Sequence, residues 1–258
     1  MIPNNLFIVA DDLGLHPSLN DGIVFLLKNG NISGVSLMPN GEAFQDAIEK
    51  LKTLENPLIG VHFVLVEEKA TALERLWKNH KTFFLKYIFG LVKLTDVEKE
   101  LRVQMEVCKR AGVKISFINS HQHLHLLPKI MDIVVNLAKE NNIDYIRTVS
   151  EPFTMKGGLF RGLESLFLSF LSAKARRKIK KAGLKTNDIF IGFLGASNLQ
   201  KQDIDLANSL AEKYPEKNVE LGCHPGFENP NLIEKYKQWG RYNWQNELEL
   251  LKRTQNNG

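Results

Sequence analysis

Two acids in succession, Asp11 and Asp12, close the apolar run Leu6 to Ala10 near the start of a 258-residue chain. Neighbouring carboxylates repel unless a proton or cation offsets them, and a bound divalent metal does so most simply. One of the pair could then ligate while the other accepts a proton. Further on, Ser120-His121-Gln122-His123-Leu124-His125 gathers three of the seven histidines at period two. In extended backbone such residues face one way, so His121 and His123 would approach one ion or one substrate together. His62, within Gly60-Val61-His62-Phe63, is the third element. A lone histidine on an apolar strand is more often a hydrogen-bonded core residue than a ligand. Here it completes a set of two imidazoles and one carboxylate, which leaves coordination positions for water and substrate. His224 follows another apolar run in Cys223-His224-Pro225-Gly226, and a side chain titrating near neutrality suits protonation of a leaving group. Cys223 points to the opposite strand face, which leaves it to core packing rather than a Cys–His dyad. His16 and His80 have no partner pattern and read as surface or loop residues. Trp77, Trp239 and Trp244 border irregular segments, where a ring packs in the core or stacks on a sugar face.

These residues need a scaffold that brings distant positions together. Short β-branched or aromatic runs are predicted as strands at 6–10, 34–38, 58–65, 115–119, 144–149, 189–193 and 219–222. Helical patterns separate them at 18–29, 42–54, 96–111, 129–141 and 202–214, with a last one at 243–252. Strands alternating with helices imply parallel pairing, because each return needs a crossover of a dozen or more residues. The fold class is α/β, as a TIM-like (β/α) barrel or its incomplete form with seven parallel strands. An open doubly wound sheet would spread apart the polar residues that follow the strands: Asp11 and Asp12, Asn40, His121 and His123, Arg147 and His224. A barrel converges them at one mouth. Neither GxGxxG nor GxxxxGK[ST] follows the first strand, which removes support for nucleotide cofactors. The chain reads as one domain over 1–258, with insertions at about 67–94 and 152–186 that break the rhythm and suit pocket-shaping loops.

Composition is that of a globular chain, with 43% apolar and 24% charged residues. Two cysteines without a CxxC pattern fit a reducing compartment, and the short apolar start before Asp11 falls far below a signal peptide. A cytoplasmic location is the expectation, since no run reaches the roughly 18 apolar residues of a spanning helix. Net charge is +5, yet seven of the basic residues fall between Lys174 and Lys185 with no acid among them. Their local clustering argues against a general nucleic-acid surface. Leu163, Leu166, Phe167, Phe170 and Leu171 precede them at near-helical spacing. The 159–185 segment would pack on the barrel rim, meet a second subunit in a homodimer, or make a peripheral contact with the inner membrane face.

The motifs ADDLGL, Asn20-Asp21-Gly22-Ile23, SLMPN, GVHFVL, SHQHLHLLP, IRTVSEP and CHPG, with a closing Arg241, Glu247 and Leu248, run in order along nearly the whole chain. In these it resembles the YdjC-like carbohydrate deacetylases, which include chitooligosaccharide and hopanoid-associated deacetylases. The resemblance implies a (β/α) barrel, often of seven strands, that hydrolyses the N-acetyl group of an acetylated amino sugar with a divalent metal. It implies Asp12, His62 and His121 as ligands, Asp11 as the base that activates water, and His224 as the acid for the departing amine. His123, His125, Arg147 and Asn40 are then candidates for binding substrate; Arg147 suits a substrate oxygen or the holding of an acid in place. Asn119 departs from the Asp that the family commonly shows before Ser-His, replacing a charge by an amide, and Leu13 stands where Phe is common.

An amide resists hydrolysis, so a catalyst must polarise its carbonyl, generate a nucleophile near neutral pH and stabilise the oxyanion, and a metal contributes to all three. Two imidazoles and a carboxylate suit zinc, manganese or cobalt, whereas the resemblance points to magnesium. The expected substrate is a chito-oligosaccharide or a lipid- or nucleotide-linked N-acetylhexosamine. Two rival readings share these residues. A barrel metallo-phosphoesterase usually carries HxH after its first strand, not its fourth, and a non-catalytic sugar-binding or regulatory protein would keep only a vestigial metal site.

Overall fold

The computed structural model describes residues 3–152, 156, 158–196, 198–240 and 242–254. All seven expected runs are strands: β1 (Leu6–Leu13), β2 (Gly34–Leu37), β3 (Ile59–Phe63), β4 (Phe117–Ser120), β5 (Tyr145–Ile146), β6 (Ile189–Ile191) and β7 (Val219–Cys223). They form one sheet in the order β5-β4-β3-β2-β1-β7-β6, with every neighbouring pair parallel. Every residue of β2, β3 and β7 is buried, because helices cover one face and the curled sheet encloses the other. The curl brings the two edges near each other. Ile146 N–H donates to the Lys185 carbonyl and Phe190 N–H to that of Ser150, each at 3.0 Å. The result is an incomplete barrel of TIM type, whose gap between β5 and β6 is bridged by an isolated pairing of Tyr145 with Lys185 and one further bond rather than a ladder.

The crossover elements are α1 (Pro17–Lys28), α2 (Phe44–Leu51), α3 (His80–Ile88), α4 (Leu94–Arg110), α5 (Pro128–Glu140), α6 (Gly158–Lys181), α7 (Lys201–Lys213), α8 (Pro230–Tyr236) and α9 (Trp244–Lys252). Their inward faces follow helical periodicity: α4 buries Val97, Leu101, Met105 and Cys108. His16, expected to be an idle loop residue, caps α1. Its ring accepts a hydrogen bond from Ser18 N–H, and Pro17 occupies the first turn, where a missing N–H is harmless. The two expected insertions fold into helices of their own. The first carries α3, docked where Trp77 pairs with Val66 and packs edge-on against Phe83. The second carries α6, the longest helix of the described residues.

Candidate metal centre

The centre begins where β1 breaks its own pattern. Its pairing with β2 shifts register between Ala10 and Leu13, and Asp12 adopts a left-handed conformation with φ 62. Asp tolerates that region better than most residues. In a regular strand Asp11 and Asp12 would face opposite sides; the bulge lets both carboxylates reach the barrel mouth, where both are buried.

His62 projects from β3 between them. Its Nε2 lies 3.3 Å from Asp12 Oδ1, and its Nδ1 lies 2.7 Å from Asn119 Oδ1. Asn119 sits on β4 in register with His62. Its amide nitrogen donates to Asp11 Oδ1 at 3.0 Å and to Ser36 Oγ at 2.7 Å. Because an ionised carboxylate only accepts, the amide oxygen must face the ring, so His62 carries its proton on Nδ1 and leaves the Nε2 lone pair toward Asp12. Arg147, just beyond β5, crosses the barrel to donate twice to Asp11, at 2.5 and 3.0 Å, and once to Glu220 on β7, at 2.5 Å. Burial alone would raise the Asp11 carboxyl, but the Arg147 guanidinium holds it well below the usual carboxylate range.

His121 approaches from the other side. Its Nδ1 is 3.5 Å from Asp12 Oδ1, and its Nε2 is 3.0 Å from Glu67 Oε2. Glu67 also reaches Nδ1 of His80, at 3.4 Å. Each imidazole therefore turns one nitrogen to Asp12 and anchors the other, His62 on Asn119 and His121 on Glu67. One ligand atom from each of Asp12, His62 and His121 lies within 4.8 Å of the others. Sequence reasoning missed Glu67 and took His80 as a partnerless loop residue. No local pattern marks a glutamate that meets a histidine 54 positions away.

The profile of the YdjC-like protein family matches residues 5–256. The chain belongs to that family. A carbohydrate deacetylase of Clostridium beijerinckii is 29% identical over 237 residues, covering 88% of this chain and 84% of that protein. Another carbohydrate deacetylase, from Oceanobacillus iheyensis, is 32% identical over 139 residues, covering 52% of this chain and 60% of that protein. A crystal structure from Enterococcus faecalis V583, of a protein named as a candidate for cellobiose-phosphate cleavage, superposes with a TM-score of 0.69 at 21% identity over 97% of this chain and 90% of that one. At that identity the likeness is one of fold.

The donors of this YdjC-like protein fit a divalent cation. Asp12 Oδ1 and Oδ2 and His62 Nε2 are buried without a hydrogen-bond partner, which is costly unless an ion completes them. Burial lowers the His121 ring, yet Asp12 and Glu67 outweigh it and push it up to about 10, so the cluster draws in positive charge. Asp11, His62 and His121 line a cavity of about 490 Å³ together with His123, His224, Trp239 and Tyr242.

The expected period-two geometry at His121 to His125 does not hold. Residues 121–126 coil into a 3-10 turn in which Gln122 (φ 55) and His123 (φ 53) are left-handed, so the extended backbone that would align His121 with His123 is absent. His123 instead lies near the rings of Phe190 and Phe193. His125 is fully buried beneath the turn: its Nε2 donates to the Arg147 carbonyl at 2.9 Å and its Nδ1 meets Ser120 Oγ at 2.7 Å. Asn40 donates to the Lys69 carbonyl at 2.7 Å and lies outside the cavity lining. His224 keeps its side chain on the cavity while its backbone N–H donates to the buried Glu247 at 2.6 Å. Trp239 stacks at a tilt 4.9 Å from His121, whereas Trp244 is buried. Cys223 is buried, its thiol 3.4 Å from the Val9 carbonyl. Arg241 lies outside the described residues.

Proposed function

We propose that this protein is a metal-dependent carbohydrate deacetylase that removes the N-acetyl group of an acetylated amino sugar by attack of water on the amide. The observation that carries this reading is the buried Asp12, His62 and His121 cluster, in which both Asp12 oxygens and His62 Nε2 lack a hydrogen-bond partner, at a cavity that also holds Asp11 and His224. The names of the two curated relatives support the substrate class. Asp12, His62 and His121 would hold one divalent ion; two imidazoles and one carboxylate favour zinc, manganese or cobalt over magnesium. When bound, that ion supplies Lewis-acid polarisation of the acetyl carbonyl and a more acidic water.

The chain's own groups do the rest. Asp11, kept ionised and oriented by Arg147 and Asn119, takes the proton of the attacking water. His224 gives a proton to the departing amine nitrogen, so that the product leaves as a neutral amine rather than an amide anion. Arg147 is a positioning residue, and His123, Trp239 and Tyr242 wall the cavity where a sugar ring would lie.

Chelator-treated protein, assayed for acetate release from N-acetylglucosamine oligomers, should lose at least about a hundredfold in activity and regain it with zinc, manganese or cobalt. Asp11→Asn and His224→Ala should each lower kcat by about 10²- to 10⁴-fold with metal content unchanged, whereas His62→Ala should lower metal content itself. Absence of acetate with every metal, on oligomers and on nucleotide-linked N-acetylhexosamine alike, would leave the non-catalytic binding reading in its place.

A further inference from the structure

Thirteen large hydrophobic side chains are exposed among the described residues, and ten of them come from two segments, 85–91 and 159–170. Six lie on α6, at 159, 160, 163, 166, 167 and 170, a spacing that places them on one face. The opposite face packs inward through Ser165, Ser172, Ala175 and Ile179. The apolar stripe therefore points outward. Along the same outward face, Lys174, Arg177 and Lys181 follow Phe170 at four, seven and eleven positions, all exposed. Residues 165–187 contain no acid.

Leu85, Ile88, Phe89 and Leu91 extend this surface from α3 and the turn after it, where Lys81, Lys86 and Lys93 are also exposed. The two helices meet through Phe84 and Phe167, ring centroids 5.4 Å apart. Between them runs a second cavity of about 250 Å³, lined by Phe84, Leu127, Phe167, Leu168 and Leu171. It shares His80, Gln122, His123, Arg161 and Phe193 with the cavity of the metal centre, so this groove and the site adjoin along those residues, and Lys81 and Glu164 stand at the groove's wall as well.

We propose that this face docks on an anionic lipid bilayer and that the groove receives the hydrocarbon chain of a lipid-linked acetylated amino sugar, whose sugar end then lies at the metal centre. The sugar end rests on the deacetylase reading; the docking does not. An outward apolar stripe flanked by cations is the pattern of a helix lying in a membrane interface, rings among the acyl chains and lysines at the phosphates. No described helix is long and apolar enough to cross a membrane, so the association is with the surface. Residues 165–187 contain no acid, so a second copy would bring no carboxylate from that stretch of the helix to meet the cations.

The test is sedimentation of the full chain with phosphatidylcholine vesicles, with and without phosphatidylglycerol. The expected result is binding to the anionic vesicles that falls as salt rises. Lys174→Glu, Arg177→Glu and Lys181→Glu combined should weaken it about a hundredfold, and Phe160→Glu with Phe170→Glu about tenfold or more. These positions lie outside the lining of the metal-centre cavity, so acetate release from soluble N-acetylglucosamine oligomers should stay at the wild-type rate. For the groove, calorimetry should find dodecyl N-acetylglucosaminide bound about tenfold more tightly than the methyl glycoside, a preference that Leu168→Trp removes. Vesicle and dodecyl binding without acetate release from any sugar would support the docking and overturn the deacetylase reading. Acetate release without salt-sensitive vesicle binding would overturn the docking alone. A vesicle-independent dimer abolished by Phe160→Glu with Phe170→Glu would also overturn it, in favour of a second copy on this face.

Discussion

A strand that kept its alternation through Asp11 and Asp12 would aim one carboxylate into the barrel and the other at the covering helices. The left-handed Asp12 removes that conflict, and the two acids part in their partners: Asp11 is held by Arg147 and Asn119, and Asp12 is left with bare oxygens. The amide of Asn119 suits this division, because it donates to Asp11 and accepts from His62, whereas an ionised aspartate there would have no hydrogen to donate to Asp11. His125 shows the opposite treatment, with both ring nitrogens satisfied inside the fold. Burial brings its ring down to about 3, so below the ordinary value of 6.5 the unfolded chain takes up a proton that the folded one refuses. Its contribution is whole above pH 6.5 and is lost as pH falls toward 3, at about 1.4 kcal/mol per pH unit. Denaturant midpoints of His125→Gln should fall less steeply over that window than those of the wild type, by one proton's worth of slope. Parallel pH profiles for the two proteins would contradict a buried neutral His125.

Elements matter here through what they carry across the barrel. Arg147 ties the end of β5 to β1 and β7, two strands that are not its neighbours in the sheet. It lies beside the gap between β5 and β6, where the ladder fails, and it is the largest of the fully buried side chains. Arg147→Met removes the counter-charge of two buried carboxylates while keeping much of the apolar stem, and should destabilise the fold by about 3–5 kcal/mol in denaturant titration. A loss below about 1 kcal/mol would mean that water already screens Asp11 and Glu220. Close approach of elements also shapes the floor of the cavity: a Cβ on Gly192 would lie 2.3 Å from the Gly222 carbonyl oxygen, so β6 and β7 come together there only without a side chain.

For the molecule as a whole, the ligand set spans β1, β3 and the turn after β4, so metal occupancy is coupled to the fold of at least half the barrel. An ion that binds only the folded chain stabilises it by about 2.7 kcal/mol at a hundred times its Kd. For a chain of this size that corresponds to a rise of roughly 5–10 °C in Tm, at about 2–4 °C per kcal/mol. Calorimetric scans with zinc or manganese should show the rise, and Asp12→Ala should abolish it. An unchanged Tm with saturating metal would remove the centre from the molecule's chemistry.

Periodicity over a few neighbours encodes whether a segment is strand or helix, and all seven strands, the six expected helices and the residue types of the centre were legible from it. Strand ends moved by a few residues: β1 runs three beyond Ala10 because its bulge lets pairing resume at Leu13, and β5 shrinks to Tyr145–Ile146 because its edge is only partly laddered. The three-histidine motif revealed its importance but not its geometry, since left-handed turns at Gln122 and His123 are set by what the loop must reach, not by the alternation of letters. Glu67 and Glu220 acquire meaning only when segments far apart in sequence are neighbours in space, and the same proximity decides that the acids Arg147 holds are Asp11 and Glu220. The outward aim of the α6 stripe was likewise a tertiary decision, because a helix with apolar residues on one side and small ones on the other can bury either, and here Ser165, Ser172 and Ala175 allow the closer approach to the barrel.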